Sequence, residues 1–256
     1  MSAIRLGTRA STLATTQSEM VARLLRSEGL DVDLTTITTH GDTSTASLAA
    51  MGGIGVFASA IRATLLKGEA DIAVHSFKDL PTGRPLGLAI GAVPARADPR
   101  DALVARDGLT LHDLPQEASV GTGSPRRAAQ LLAVRPDLTI VDIRGNVDTR
   151  LGRVKGLGHY AKGGGKEDLD AVVLAASGLA RLGHSGTVTE FLDPSVVLPA
   201  PAQGALAVEC RTADSRHGKL AKALARIDDR RTRLAATAER AVLSHLEAGC
   251  AAPIGA

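Results

Sequence analysis

Short apolar runs, each cut off by a cluster of charged or small residues and separated from the next by a helical stripe, constrain this chain most. The sharpest case is residues 70–81, ADIAVHSFKDLP. Ile72, Ala73 and Val74 read as a strand covered on both faces, because such strands carry continuous apolar residues. The run stops at His75-Ser76-Phe77-Lys78-Asp79, ahead of Leu80-Pro81. A base, a hydroxyl and an acid are thereby expected where a strand ends. In open α/β sheets, ligands bind beyond the carboxyl ends of the strands.

The same alternation runs along the chain. Residues 3–7 read as a strand. Residues 12–27 read as a helix with Leu13, Met20, Val21, Leu24 and Leu25 as its apolar stripe, ended by Gly29. Residues 32–38 are rich in β-branched side chains and read as a second strand. A helix over 58–67 leads into the 70–81 stretch, and 86–93 is a further strand. Between them, residues 40–56 form a glycine- and threonine-rich loop, long enough to be functional or mobile. Its glycines lack GxGxxG spacing, and no Walker A pattern occurs.

Residues 94–101, with Pro94, Pro99, Arg96, Asp98, Arg100 and Asp101, read as a linker or hinge. Strands are then expected at 102–105, 118–122, 138–143 and 171–175. Ser124-Pro125 opens a helix. Asn146 caps another that runs to about residue 155, and a short helix covers 177–182. Residues 160–168 read as an exposed loop, and 198–205, LPAPAQGA, as a second irregular crossing. A strand at 206–210 follows. Asp228-Asp229 caps a final helix over 230–247, with Leu234, Ala238, Ala241, Val242 and Leu246 as its apolar face. The fold class is α/β.

Composition removes several functions. Phe57, Phe77, Phe191 and Tyr160 are the only aromatics, and there is no Trp. Nucleic-acid binding by base stacking has almost no material. The net charge of +3 suits a small polyanion as well as DNA, and no helix carries the basic face that DNA needs. The seven histidines are scattered and no CxxC occurs, so no metal site is expected. Two cysteines, Cys210 and Cys250, make no disulfide framework and fit a reducing cytosol. The N-terminus has no apolar signal core and no run spans a membrane. A soluble cytoplasmic protein is expected.

Arginines recur near strand-to-helix junctions: Arg9, Arg126, Arg127, Arg144, Arg150 and Arg181. A guanidinium beside a helix N-terminus opposes the helix dipole, a local cost that an anion offsets. Guanidiniums bind carboxylates bidentately, so the set points to a ligand with several carboxylates or phosphates. Cys210 reads as a buried apolar cysteine. Cys250, beside Gly249, reads either as another or as a covalent attachment point.

Five motifs carry a resemblance. HSFKDLP, VGTGSPRR, IRGNVDTRL, LPAPAQGALAVEC and LEAGCAAPIGA occur in this order, within a match running from Ile4 to the last residue. Together they resemble the porphobilinogen deaminase (hydroxymethylbilane synthase) family. The resemblance implies a transferase that joins four porphobilinogen units head to tail, releasing ammonia each time, in tetrapyrrole biosynthesis. It implies two lobes like type 2 periplasmic binding proteins, residues 1–96 plus 203–222 and residues 100–199, with a cleft between them. A truncated α+β third domain, residues 227–256, follows. The implied cofactor is a dipyrromethane, itself made from porphobilinogen and held by a thioether to Cys250. Asp79 matches the catalytic aspartate. Ser76, Lys78, Thr122, Ser124, Arg126, Arg127, Arg144 and Asn146 match cofactor-binding positions, and Arg9, Ser11, Arg150 and Arg181 substrate-binding ones. No metal, nucleic acid or membrane is implied, and a monomer is expected.

Three departures accompany the match. The chain stops at Ala256, soon after the cofactor cysteine, so a short third domain is expected. Ile54 stands where relatives often carry lysine. Residues 162–168 read as a neutral surface insertion. The competing reading is a non-catalytic binding module for a polycarboxylate on the same two lobes.

Overall fold

A computed structural model describes residues 3–37, 56–83, 85–248 and 252–256. The loop expected at 40–56, apart from Val56, lies outside the described residues, as do Ile54, Gly249 and Cys250. The chain divides into two compact units, residues 1–97 with 205–251 and residues 98–204 with 252–256.

The first unit begins with β1 (Ile4–Thr8), α1 (Thr12–Ser27), β2 (Val32–Thr36), α2 (Val56–Leu66), β3 (Ile72–Ser76) and β4 (Leu88–Ala92). The second unit holds β5 (Asp101–Ala105), β6 (Ser119–Gly121), α3 (Pro125–Val134), β7 (Thr139–Val141), α4 (Val147–Leu151), β8 (Ala171–Ala175), α5 (Ala176–Arg181) and β9 (Glu190–Phe191). The chain then returns to the first unit with β10 (Leu206–Arg211), α6 (Gly218–Ile227) and α7 (Arg230–His245).

The two sheets share one plan. The first has strand order β2-β1-β3-β10-β4 and the second β7-β6-β8-β5-β9. In each, three parallel strands meet an antiparallel fourth. That antiparallel strand is always the first one after the chain changes unit. β5 runs against β8 with Asp101 opposite Ala175, and β10 runs against β3 with Leu206 opposite Ser76. Each therefore brings its first residue to the carboxyl edge of a parallel strand.

Alternation along the strands fills both faces of each sheet. Ile72 and Val74 pack with Leu6, Val21, Leu25, Val208 and Leu224, whereas Ala73 packs with Ile61 and Leu65. In the second unit Ala171 and Val173 join Leu103, Val120 and Leu131, while Val172 and Leu174 join Ile143, Leu151 and Leu179. Each fully buried leucine, isoleucine or valine contributes about 1.5–3 kcal/mol.

The structure departs from the sequence reading at several elements. β3 runs through Ser76, so His75 is a buried strand residue, not part of the turn. Helix α6, with Leu220, Ala223, Leu224 and Ile227 on its inner stripe, is absent from the sequence reading. Helix α4 ends at Leu151, short of residue 155. Within 160–168, Tyr160 packs partly buried against the core, and Glu167 accepts a hydrogen bond from the Gly158 N–H at 2.8 Å. In α7 the apolar face read from the sequence is largely outward: Leu234 is 59% exposed and Leu246 58%. The buried stripe is Thr232, Ala236, Arg240 and Leu243.

Candidate functional site

In the first unit, the residues singled out from the sequence gather at the carboxyl ends of two neighbouring parallel strands. β1 pairs with β3, Leu6 opposite Ile72 and Gly7 opposite Ala73. Arg9 and Ser11 follow β1, and Ser11 caps α1, its hydroxyl accepting from the Ala14 N–H at 3.4 Å. Ser76 ends β3, and its hydroxyl is hydrogen-bonded to the buried Gln17 amide of α1 at 3.1 Å. A short 3-10 turn, Phe77–Asp79, comes next. Phe77 is buried, Lys78 half-buried, and Asp79 exposed to solvent. The turn thus offers a carboxylate beside an ammonium at the sheet edge where ligands of α/β proteins bind.

His75 has a different position from the one expected. It pairs across the ladder with Ala207 on β10, and its Nε2 lies 3.2 Å from a carboxylate oxygen of Glu209. Glu209 is fully buried and also pairs with Arg62 at 2.9 Å. Burial pushes the Glu209 carboxyl up, but hydrogen bonds and charge from His75 and Arg62 outweigh it, so the group stays ionised below its usual range. The His75 imidazole therefore belongs to the sheet's interior, beside the Arg62–Glu209 pair.

In the second unit the same edge is built from arginines. Thr122, Ser124, Arg126 and Arg127 follow β6, Arg144 and Asn146 follow β7, and Arg181 lies in the helix after β8. Asn146 caps α4, its side-chain oxygen accepting from the Thr149 N–H at 2.8 Å. Ser124 occupies the cap position of α3 without a side-chain cap bond. Thr122 is buried, and its hydroxyl accepts from the Ser124 N–H at 3.2 Å. Gly123 approaches the Ile143 carbonyl so closely that a Cβ would lie 2.7 Å from it, which keeps side chains out of this turn. Arg150 and Arg181 stand in the last turns of short helices, so the dipole argument applies to the arginines at helix starts and not to these two.

Asp101, which sequence reasoning took for a linker charge, is the anchor of this cluster. It is fully buried and accepts from Arg126 Nη2 and Arg127 Nη2, each at 2.7 Å, and from Gln203 Nε2 at 2.8 Å. Burial pushes its carboxyl up, but the charges and hydrogen bonds of Arg127 and Arg126 prevail and hold it well below the usual carboxylate range. Arg127 Nη1 also donates to the Val173 carbonyl at 3.1 Å, and Arg126 Nη1 to that of Leu198. Gln203, equally buried, donates to the Pro99 carbonyl at 2.8 Å.

Asp101 answers two guanidiniums, and further arginines lie near them. Arg150 donates to the Gly145 carbonyl at 2.9 Å, and among the described residues no carboxylate pairs with it at close range. Burial lowers its pKa, and repulsion from Arg127 and Arg144 lowers it further, only partly offset by Asp142. Arg181 donates to the Gly204 carbonyl at 2.6 Å, and burial pulls its pKa down to about 10. The Nε atoms of Arg127 and Arg181 are buried with no hydrogen-bond partner among the described residues. Orphaned buried donors beside surplus positive charge fit a polycarboxylate, because such groups are costly until an anion takes them. A dipyrromethane carrying acetate and propionate side chains has that chemistry.

Residues 4–219 match the family described as porphobilinogen deaminase, dipyromethane cofactor binding domain. The chain belongs to the porphobilinogen deaminase family. Residues 233–256 match the porphobilinogen deaminase C-terminal domain. A porphobilinogen deaminase of Cutibacterium acnes is 97% identical over all of this chain and 77% of its own length. One from Micrococcus luteus is 57% identical over all of this chain and 73% of its own length. Among solved structures, an ABC-transporter periplasmic substrate-binding protein from Coxiella burnetii superposes with a TM-score of 0.50. It is 15% identical, covering 92% of this chain and 96% of that one, a likeness that shows the fold alone.

Family membership brings in the cysteine question. Cys210 is fully buried on β10, and burial pushes its thiol up to about 11, so it is neither reachable nor readily ionised. Cys250, the expected attachment point, lies outside the described residues. Besides Asp101, sequence reasoning missed Gln203 and Arg240. Gln203 had a signal, since a polar amide inside LPAPAQGA needs buried partners.

Proposed function

We propose that this chain is a hydroxymethylbilane synthase, a transferase that condenses four porphobilinogen molecules head to tail with loss of ammonia. The observation that carries the reading is the pair Arg126 and Arg127 on the buried carboxylate of Asp101, with Arg150 close enough to Arg127 and Arg144 for their charges to repel it. Each porphobilinogen brings an acetate and a propionate, so the growing chain supplies the missing negative charge.

In this reading a dipyrromethane joined by a thioether to Cys250 supplies a nucleophilic pyrrole carbon as primer. Arg126, Arg127, Arg144 and Asn146, with Thr122, Ser124, Ser76 and Lys78, hold its carboxylates and pyrrole groups. Arg9, Ser11, Arg150 and Arg181 hold the carboxylates of incoming substrate. Asp79 opposes the positive charge that develops on a substrate pyrrole as ammonia leaves, and takes up the pyrrole proton. Its exposure at the end of a buried strand supports that role, since it is held by the fold yet open to a ligand. Residues 227–256 are the proposed truncated cofactor-carrying domain, and residues 1–96 with 203–222 and residues 100–199 the two proposed lobes. A cytoplasmic monomer acting on a small molecule, without nucleic acid or membrane, completes the proposal.

The test is turnover of porphobilinogen to hydroxymethylbilane, followed as the absorbance of its cyclised, oxidised product. The Asp79→Asn variant should lose about a hundredfold or more in kcat. Its Ehrlich-reactive cofactor content should be unchanged. Near-normal turnover would remove Asp79 from the mechanism.

A further inference from the structure

Arg240 is a buried cation on α7 to which the mechanism above gives no task. It is 9% exposed, and its guanidinium donates to three main-chain carbonyls. Nη1 reaches the Phe77 and Leu80 oxygens, each at 2.9 Å, and Nη2 reaches the Pro81 oxygen at 2.8 Å. The guanidinium carbon also lies 4.5 Å from the centroid of the Phe77 ring. A cation is costly to bury unless its donors are met, and here backbone oxygens meet them.

The three carbonyls bracket Lys78 and Asp79. The turn's own backbone bonds hold it only in part. Its closing bond, Leu80 N–H to the Phe77 carbonyl, is long at 3.3 Å, and Pro81 has no N–H to add. Phe77 N–H is tied to the Ala205 carbonyl at 3.0 Å, which anchors only the entry to the turn. The exit, at Leu80 and Pro81, is gripped by Arg240. Helix α7 is in turn locked to its unit at its first half. Asp229 caps it, accepting from the Thr232 N–H at 2.7 Å, and the Thr232 hydroxyl accepts from the Arg96 N–H at 3.0 Å. Arg96 forms a bidentate pair with Glu239, the residue just before Arg240.

We infer that Arg240 is a positioning residue for Asp79: it clamps both ends of the 77–81 turn and so fixes where the carboxylate stands. The inference rests on Asp79 being the catalytic carboxylate. Because α7 is the helix that leads toward Cys250, one element then carries both the clamp on the acid and the approach to the proposed attachment point.

Arg240→Lys is the first test. It keeps the charge but cannot span three carbonyls or stack its plane on Phe77. A misplacement of the carboxylate by about 1 Å should lower kcat by ten- to a hundredfold, to order of magnitude. KM for porphobilinogen and Ehrlich-reactive cofactor content should stay unchanged. Rates are compared at a temperature well below both melting points, so that lost stability does not enter. The same change made in the Asp79→Asn background should cause no further loss of kcat. A raised KM with kcat intact, or a full additional loss in the Asp79→Asn background, would overturn the inference. If Asp79→Asn alone keeps its turnover, the failure belongs to the catalytic reading. If Asp79→Asn is impaired and Arg240→Lys is normal, it belongs to the clamp. Should Arg240→Lys not fold, Phe77→Leu removes the ring contact and leaves the carbonyls in place. It should lower kcat by roughly threefold to tenfold at constant KM, and an unchanged kcat in that variant would equally overturn the inference.

Discussion

Asp101 decides whether the arginines of the second unit can stand so close together. With its carboxylate removed, Arg126 and Arg127 become uncompensated buried cations, and breaking such a pair costs about 3–5 kcal/mol. Asp101→Asn should therefore lower the melting temperature sharply at pH 7. Its pH dependence follows from the depressed carboxyl. In the unfolded chain Asp101 takes up a proton near pH 4, before the folded form does. Its stabilisation is complete above that pH and is lost as the pH falls further. The gap in melting temperature between the unsubstituted protein and Asp101→Asn should be constant from about pH 7 to 5 and narrow below about pH 4. A gap that stays constant down to about pH 2 would contradict this placement of the charge. Residues of this kind were only half legible in the sequence. The arginines announced themselves by number and position. Their anchor sat in PARADPRD, among prolines and alternating charges, where a solvated hinge is the ordinary reading. Only the antiparallel pairing of β5 with β8 shows that Asp101 opens a buried strand.

Elements divided by how much of their packing is apolar. β3, β8 and α1 were readable because periodicity and burial agree: α1 spans Thr12–Ser27 as its stripe indicates, and every residue of β8 but the last is buried. α7 misled because its inner stripe, Thr232, Ala236, Arg240 and Leu243, holds by hydrogen bonds as much as by apolar contact. Hydrophobic spacing cannot register a guanidinium that is buried because carbonyls surround it. α6 had the right spacing, in Leu220, Ala223, Leu224 and Ile227, but follows directly on a charged stretch, RTADSRHGK, that masked its start. The two readings of α7 give opposite results on substitution. Leu243→Ala, at a 4% exposed position, should cost about 2–5 kcal/mol. Leu234→Ala, at a 59% exposed position, should fall within about 0.5 kcal/mol of zero. Denaturant unfolding measures both, and a larger loss at Leu234 would restore the face read from the sequence.

At the scale of the whole chain, the plan of both sheets follows from where the chain changes unit. β5 and β10 each run antiparallel to a strand whose carboxyl end carries site residues. The irregular segments that precede them therefore bring Asp101 and Ala205 to those ends. Asp101 holds the arginines, and the Ala205 carbonyl receives the Phe77 N–H at the start of the turn that carries Asp79. The α/β class and both crossings were legible as composition shifts. The antiparallel strands were not, because direction leaves no mark on a short apolar run. In the proposed function this chain builds and carries its own pyrrole primer on one cysteine. The most direct measurement is the intact mass after incubation with porphobilinogen, followed by peptide mapping. A single covalent adduct of dipyrromethane size is expected on Cys250, lost in Cys250→Ser and kept in Cys210→Ala, because the Cys210 thiol is buried and pushed up to about 11. An unmodified mass, or an adduct mapped to Cys210, would contradict it.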